Sequence, residues 1–121
     1  MRRVVITGLG IVSSIGNSTE EVVASLKAGR SGIAADAEMA ERGFRSQISG
    51  APRIDVAEHI EKRALRFMGP GAAYAHIAMQ QAIADAGLEE SDISNPRTGV
   101  IAGSGGPSTS NLFAAHQIVL E

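Results

Sequence analysis

Three observations predict an α/β fold. The run Val4-Val5-Ile6 is continuous, apolar and β-branched, and Thr7-Gly8 bounds it, the pattern of a strand buried on both faces. A second run, Val100-Ile101-Ala102, ends in the glycine cluster Gly103-Ser104-Gly105-Gly106-Pro107. The segments between and after these runs carry helical periodicity and helix punctuation.

The elements follow in chain order. Ser18 with Glu21 three residues on fits a capping box, and Val22, Val23 and Leu26 share a face ahead of Gly29 as the left-handed stop. The first helix is therefore predicted over residues 19–28. Residues 30–57 form a long excursion: Arg30-Ser31-Gly32 is a turn, Met39 to Gly43 a short helix, and Phe44 to Ile48 alternates weakly. Residues 58–68, EHIEKRALRFM, read as a short helix with Ile60, Ala64, Leu65 and Met68 inward, broken by Gly69-Pro70-Gly71. Ala72 to Ala86 is predicted as a buried central helix, because its many alanines let neighbours approach from more than one side, and Gly87 closes it. A polar connector, EESDISNPR, leads to the second strand. The last helix, Ser108 to Glu121, sets Leu112, Ala115 and Val119 on one stripe with Phe113 and Leu120 beside it.

Two clear strands and one weak one cannot cover the four helices at 19–28, 58–68, 72–86 and 108–121, since an open sheet of this class usually has about five strands or more. That deficit, with a final helix that no Gly, Asn or Pro stops, predicts the front piece of a larger α/β protein. Composition narrows the function classes. The 121 residues carry a net charge of −2, which gives no bulk attraction to nucleic acid or an anionic membrane, and no apolar run is long enough to span a bilayer. Aromatics make up 3% of the chain, so the core falls to Ala, Val, Ile, Leu and Met. With no cysteine, disulfides, thiolate metal sites and a cysteine nucleophile are excluded within these residues. Met-Arg-Arg runs straight into a strand without a signal-peptide core, and the cytoplasm is the expected compartment.

The glycine clusters invite three chemical readings. A dinucleotide fingerprint starting at Gly8 needs glycine at position 13, where Ser13 stands, and the helix begins near Ser18, too late for its amides to meet a pyrophosphate. The short-chain dehydrogenase variant fails at Val12 and Ser14, and Asp36, near where a ribose-holding acid belongs, follows a glycine-broken turn. The preferred reading of Thr7-Gly8-Leu9-Gly10 is a tight turn that ends strand one. The cluster at 102–111 lacks the Lys-Ser/Thr of a phosphate loop. Ser104 resembles the tip of a nucleophile elbow, but no acid lies between it and the only downstream histidine, His116. His59, His76 and His116 are too scattered for a metal site, and none is expected. Lys62, Arg63 and Arg66 place three cations within about a turn and a half of helix. Glu58 and Glu61 dilute them, and on charge alone a solvated face is the preferred reading.

Four motifs in order carry a resemblance: VVITGLGIVSSIGNSTEEVVASLKAGRSGI, IEKRALRFM, AIADAGL and GVIAGSGG. Together they resemble the N-terminal part of a β-ketoacyl-acyl carrier protein synthase, most closely the type I condensing enzymes of bacterial fatty-acid synthesis. The likeness runs through nearly the whole chain, loosest at 34–57 and after Pro107. It implies a thiolase-like αβαβα layered fold, incomplete here, with residues 1–121 as part of the synthase N-terminal domain and the complete enzyme a homodimer. In such enzymes a cysteine takes the acyl group from acyl carrier protein, two histidines assist decarboxylation of the malonyl carrier, and the carbanion attacks the acyl thioester. That cysteine and those histidines lie beyond this stretch, so no catalytic residue is assigned, no cofactor is implied, and the chain alone is expected to be inactive. The resemblance gives Lys62, Arg63 and Arg66 to the basic helix that receives the acidic carrier protein, reversing the reading from charge alone. It also gives Gly106 to the acyl pocket, where Pro107 departs from the expected glycine. The alternative is a non-catalytic short product that binds acyl carrier protein or a full-length synthase.

Overall fold

A computed structural model describes residues 3–120, and its first helix begins where the sequence places a cap. Helix α1 (Thr19–Lys27) starts after Ser18, whose hydroxyl accepts the Glu21 amide at 3.3 Å. The Glu21 carboxylate accepts the amide of Asn17 at 2.7 Å, so the reciprocal bond of the box is shifted one residue upstream. Gly29, at φ +62, supplies the left-handed stop. The buried face differs from the predicted one. Val22 and Ser25 point inward while Val23 and Leu26 are exposed, because the Ser25 hydroxyl donates to the Ile15 carbonyl at 2.6 Å and so turns the helix about its axis.

The excursion contains a small antiparallel pair, β1 (Ala34–Ala35) with β2 (Ile48–Ser49), in the register Ala34 to Ser49 and Ala35 to Ile48. Helix α2 (Ala37–Glu41) lies between these strands, and the Asp36 carboxylate caps it by accepting the Met39 amide at 3.1 Å. That bond, with a further one from Ser49, holds the Asp36 carboxyl below the usual carboxylate range. A depressed folded-state pKa stabilises above the unfolded value of about 4 and is lost as pH falls through the folded one. Hydrogen exchange at the Met39 amide is therefore expected to accelerate, beyond its intrinsic pH dependence, as pH drops below about 4, and Asp36→Asn should flatten that excess.

The helix predicted over 58–68 is split. A 3-10 turn (Val56–Glu58), capped by Asp55, ends at His59, and α3 (Lys62–Leu65) restarts after Glu61. The break drops Ile60 into the core, where it is 5% exposed beside Ala73 and Ile77, with Val12, Ile54, Val56, Ala64, Leu65 and Met68 packed around them. Helix α4 (Pro70–Asp85) carries Ala73 and Ile77, each 2% exposed. Pro70 opens this helix, where its missing N–H costs nothing, and Gly87 at φ +63 ends it. Helix α5 (Glu90–Ile93) is a single turn inside the polar connector, formed by a Glu89–Asp92 capping box. Helix α6 (Thr109–Leu120) has no buried residue, so its predicted stripe of Leu112, Ala115 and Val119 is exposed among the described residues.

The two predicted strands also differ from expectation. Val4–Ile6 and Val100–Ala102 have no ladder partner among the described residues, and Val4 and Ile101 are 94% and 99% exposed. A strand is a property of a pair, and an apolar run becomes one only beside another. With these runs and α6 uncovered, the chain exposes 10175 Å², against about 6,200 Å² for a compact monomer of its mass.

The Gly8–Gly10 segment is no turn. The turn comes later, where the Ser13 amide donates to the Gly16 carbonyl at 2.9 Å. Gly8 and Gly10 instead run extended along α4. A Cβ on Gly8 would strike the Ala82 carbonyl and meet Ala86 N at 2.8 Å, and one on Gly10 would strike the Ala78 carbonyl and meet Ala82 N at 2.9 Å. The alternate residues donate their amides to the same helix, Leu9 to Asp85 Oδ2 and Ile11 to Gln81 Oε1, both at 2.9 Å. Two extended residues advance about 6.6 Å and four helical ones about 6 Å, so the periods match over this length.

Candidate functional site

The basic face is built on α3. Glu61 O accepts the amides of Ala64 and Leu65, and the next turn is closed by Phe67 N–H to Ala64 O and Met68 N–H to Leu65 O, both at 3.1 Å. Ala64, Leu65 and Met68 are thereby held half-buried against the Ile60–Ala73–Ile77 core, and Lys62, Arg63, Arg66 and Phe67 are left exposed. The structure thus brings the three predicted cations onto the solvent side of one short segment. None lies within 4.0 Å of a carboxylate among the described residues, where the ion pair is Arg42 with Glu38 on α2. The Arg66 guanidinium sits over the Phe67 ring, 5.9 Å from its centroid. Met68 takes the inward place that the helical pattern gives it, and the adjacent Phe67 is left exposed.

Gly106 lies elsewhere, on a hollow of about 740 Å³ between the start of α4 (Gly69 to Ala72, and Ala75) and the loop from Ala102 to Ser110. A Cβ on Gly106 would meet nothing within 4 Å, so the glycine leaves room rather than relieving a backbone clash. The two features stand at opposite ends of the Phe67–Ala72 stretch, which joins α3 to α4. Ser104, the elbow candidate, donates its hydroxyl to the Gly106 carbonyl at 2.7 Å and not to a histidine. Asp36, weighed as a ribose ligand, is engaged as the α2 cap. Among the described residues no three His, Asp or Glu side chains converge as a metal site, and no helix is long and apolar enough to cross a membrane.

The sequence profile described as Beta-ketoacyl synthase, N-terminal domain, matches residues 1–119. The chain belongs to the β-ketoacyl synthase family. Within that family it is 52% identical over 115 residues to a 3-oxoacyl-[acyl-carrier-protein] synthase 1 of Haemophilus influenzae, covering 95% of this chain and 28% of the relative. It is 53% identical over 109 residues to the protein of the same name from Escherichia coli K12, covering 89% of this chain and 27% of that one. The chain therefore spans about a quarter of the length of the curated β-ketoacyl synthases it matches. Its fold is that of solved ketosynthases. A β-ketoacyl synthase from Burkholderia phymatum STM815 superposes with a TM-score of 0.80 at 32% identity, covering 100% of this chain and 30% of that one. The expected thiolase-like α/β layering is thus the fold of this family member.

Proposed function

We propose that this chain is the N-terminal segment of a 3-oxoacyl-acyl carrier protein synthase, an acyltransferase that lengthens an acyl chain by decarboxylative condensation with a malonyl group on acyl carrier protein. The observation that carries the reading is the 52% identity over 95% of the chain to a relative of that name. These residues contribute recognition and shape to the reaction, since they contain no cysteine to form the acyl thioester. Lys62, Arg63 and Arg66 offer an exposed cationic face to an acidic carrier, where unpaired charge speeds and orients encounter. Gly106 keeps the wall of the hollow open for an acyl chain. The complete enzyme works in the cytoplasm as a homodimer without a cofactor.

Intact mass and turnover test the assignment together. The 121-residue polypeptide is expected to form no 3-oxoacyl product from acyl and malonyl carrier proteins, whereas a polypeptide of the relatives' full length is expected to condense them. A native product of only 121 residues that binds the carrier or a full-length synthase and never condenses would move the reading to the non-catalytic short product. The pocket role has its own test. Because a Cβ at Gly106 meets nothing and its φ is not positive, Gly106→Leu should leave the thermal midpoint of the complete enzyme unchanged while shortening the longest acyl chain it elongates. Unchanged chain-length preference would take Gly106 out of the pocket.

A further inference from the structure

We infer that Gly69 and Pro107 together determine which acyl chain lengths the synthase accepts, by fixing how closely Ser108 seats on the start of α4. The inference rests on the reading of the hollow beside Gly106 as the acyl pocket. Gly69 is the N-cap residue of α4, and its backbone, at φ −78 and ψ 166, suits any residue. Helices prefer Ser, Thr, Asp or Asn at that position, yet here no side chain caps the end. What requires the glycine is contact. A Cβ on Gly69 would lie 2.7 Å from Ser108 Cβ, 2.9 Å from Ser108 Oγ and 3.4 Å from Asn111 Nδ2. Among the described residues, Ser108 is also the only one from 96 to 120 that is not exposed, so the loop seats on the rest of the fold here.

The contact reaches the hollow because the loop between them is stiff. Ser108 cannot turn aside: its hydroxyl accepts the Asn111 amide at 3.3 Å and its carbonyl the Leu112 amide at 3.0 Å, the two bonds that start α6. Pro107 stands where the resemblance leads one to expect glycine. Its ring holds φ near about −65° and disfavours helical backbone at Gly106. Gly106 is held in turn by the Ser104 hydroxyl, which donates to its carbonyl at 2.7 Å and accepts its amide at 3.4 Å. A glycine at 107 would absorb a shift of Ser108 in its own torsions, whereas proline passes the shift to Gly106 and the wall of the hollow. Gly69 and Ser108 line the two sides of that hollow and touch, which closes it where they meet. Parting them by the width of a methyl group opens that end to a longer chain.

The test uses the complete synthase, with kcat/KM measured for a series of saturated acyl carrier proteins of increasing chain length. Gly69→Ala is expected to raise the ratio of kcat/KM for the longest over the shortest acyl substrate about tenfold, the scale on which one methylene's worth of pocket discriminates. Adding Ser108→Gly removes the atoms that the new methyl meets at little cost to the α6 cap, and should return the ratio to within about twofold of its starting value. Pro107→Gly adds no atoms and should by itself broaden the chain-length preference. A preference unchanged in that variant overturns the inference even where Gly69→Ala fails to fold. If Gly106→Leu shortens the accepted chain while Gly69→Ala leaves the ratio unchanged, the pocket reading stands and the inference is overturned. If neither variant moves the preference, the pocket reading itself fails. Turnover lost equally at every chain length in Gly69→Ala, with no recovery on adding Ser108→Gly, would mean a purely structural role and would overturn the inference as well.

Discussion

Gly10→Ala is expected to destabilise the complete protein by about 3 kcal/mol and to lower its thermal midpoint by several degrees, the largest effect of any single methyl group here. The added Cβ would overlap the Ala78 carbonyl and lie 2.8 Å from Ala78 C and 2.9 Å from Ala82 N. All three are backbone atoms in the middle of a 16-residue helix, and none can move without distorting α4. The segment must instead lift away, which lengthens the bonds from Leu9 to Asp85 and from Ile11 to Gln81 and leaves a part-buried amide unpaired. Gly8→Ala should behave in the same way, since its Cβ overlaps the Ala82 carbonyl. Gly71→Ala is the control: it lies in the first turn of α4, its Cβ meets nothing within 4 Å, and it should be neutral or stabilise by about 0.5–1 kcal/mol through helix propensity. Thermal unfolding of the three variants checks the set. Equal midpoints for Gly10→Ala and Gly71→Ala would mean that the extended segment does not depend on contact with α4.

That pair of glycines shows where sequence reasoning reached and where it stopped. The helices with strong local signals were legible, because their stop and start signals act within one turn: Ser18 and Gly29 bound α1, and Gly87 bounds α4. The alanines of α4 were legible as a request for close neighbours. What could not be read was that the neighbour is a two-residue glycine repeat about 70 positions upstream, since no local rule ties Gly8 and Gly10 to Ala78 and Ala82. Gln81 and Asp85 were missed for the same reason. Their i,i+4 spacing on an alanine-rich face was the only signal, and it does not say that the donors are the amides of Leu9 and Ile11. The runs at 4–6 and 100–102 read as buried strands, yet among the described residues they lie exposed and unpaired, because a strand needs a partner that no local pattern supplies. At the candidate site the spacing placed Lys62, Arg63 and Arg66 within one short stretch, which the structure leaves exposed, and the inward Met68 read from the same pattern is half-buried on the core.

Reversing Lys62, Arg63 and Arg66 to glutamate together in the complete synthase is expected to weaken carrier-protein binding about 100-fold at about 0.05 M salt, and by only a few-fold at about 0.5 M. The direction follows from exposure without internal partners. Because no carboxylate of the described residues lies within 4.0 Å of these groups, reversal breaks no ion pair of the fold and creates a negative face opposite an acidic protein. The contraction with salt follows because solvent-exposed charges interact through water, whose ions screen them over about 10 Å at 0.1 M and about 3 Å at 1 M. Condensation should then slow through the KM for the carrier-bound substrate more than through kcat, since the reacting atoms lie elsewhere. Binding and steady-state kinetics at both salt concentrations check this. Affinity unchanged at low salt would remove the docking role. An affinity loss that persisted in full at high salt would place the energy of the face in packing rather than charge.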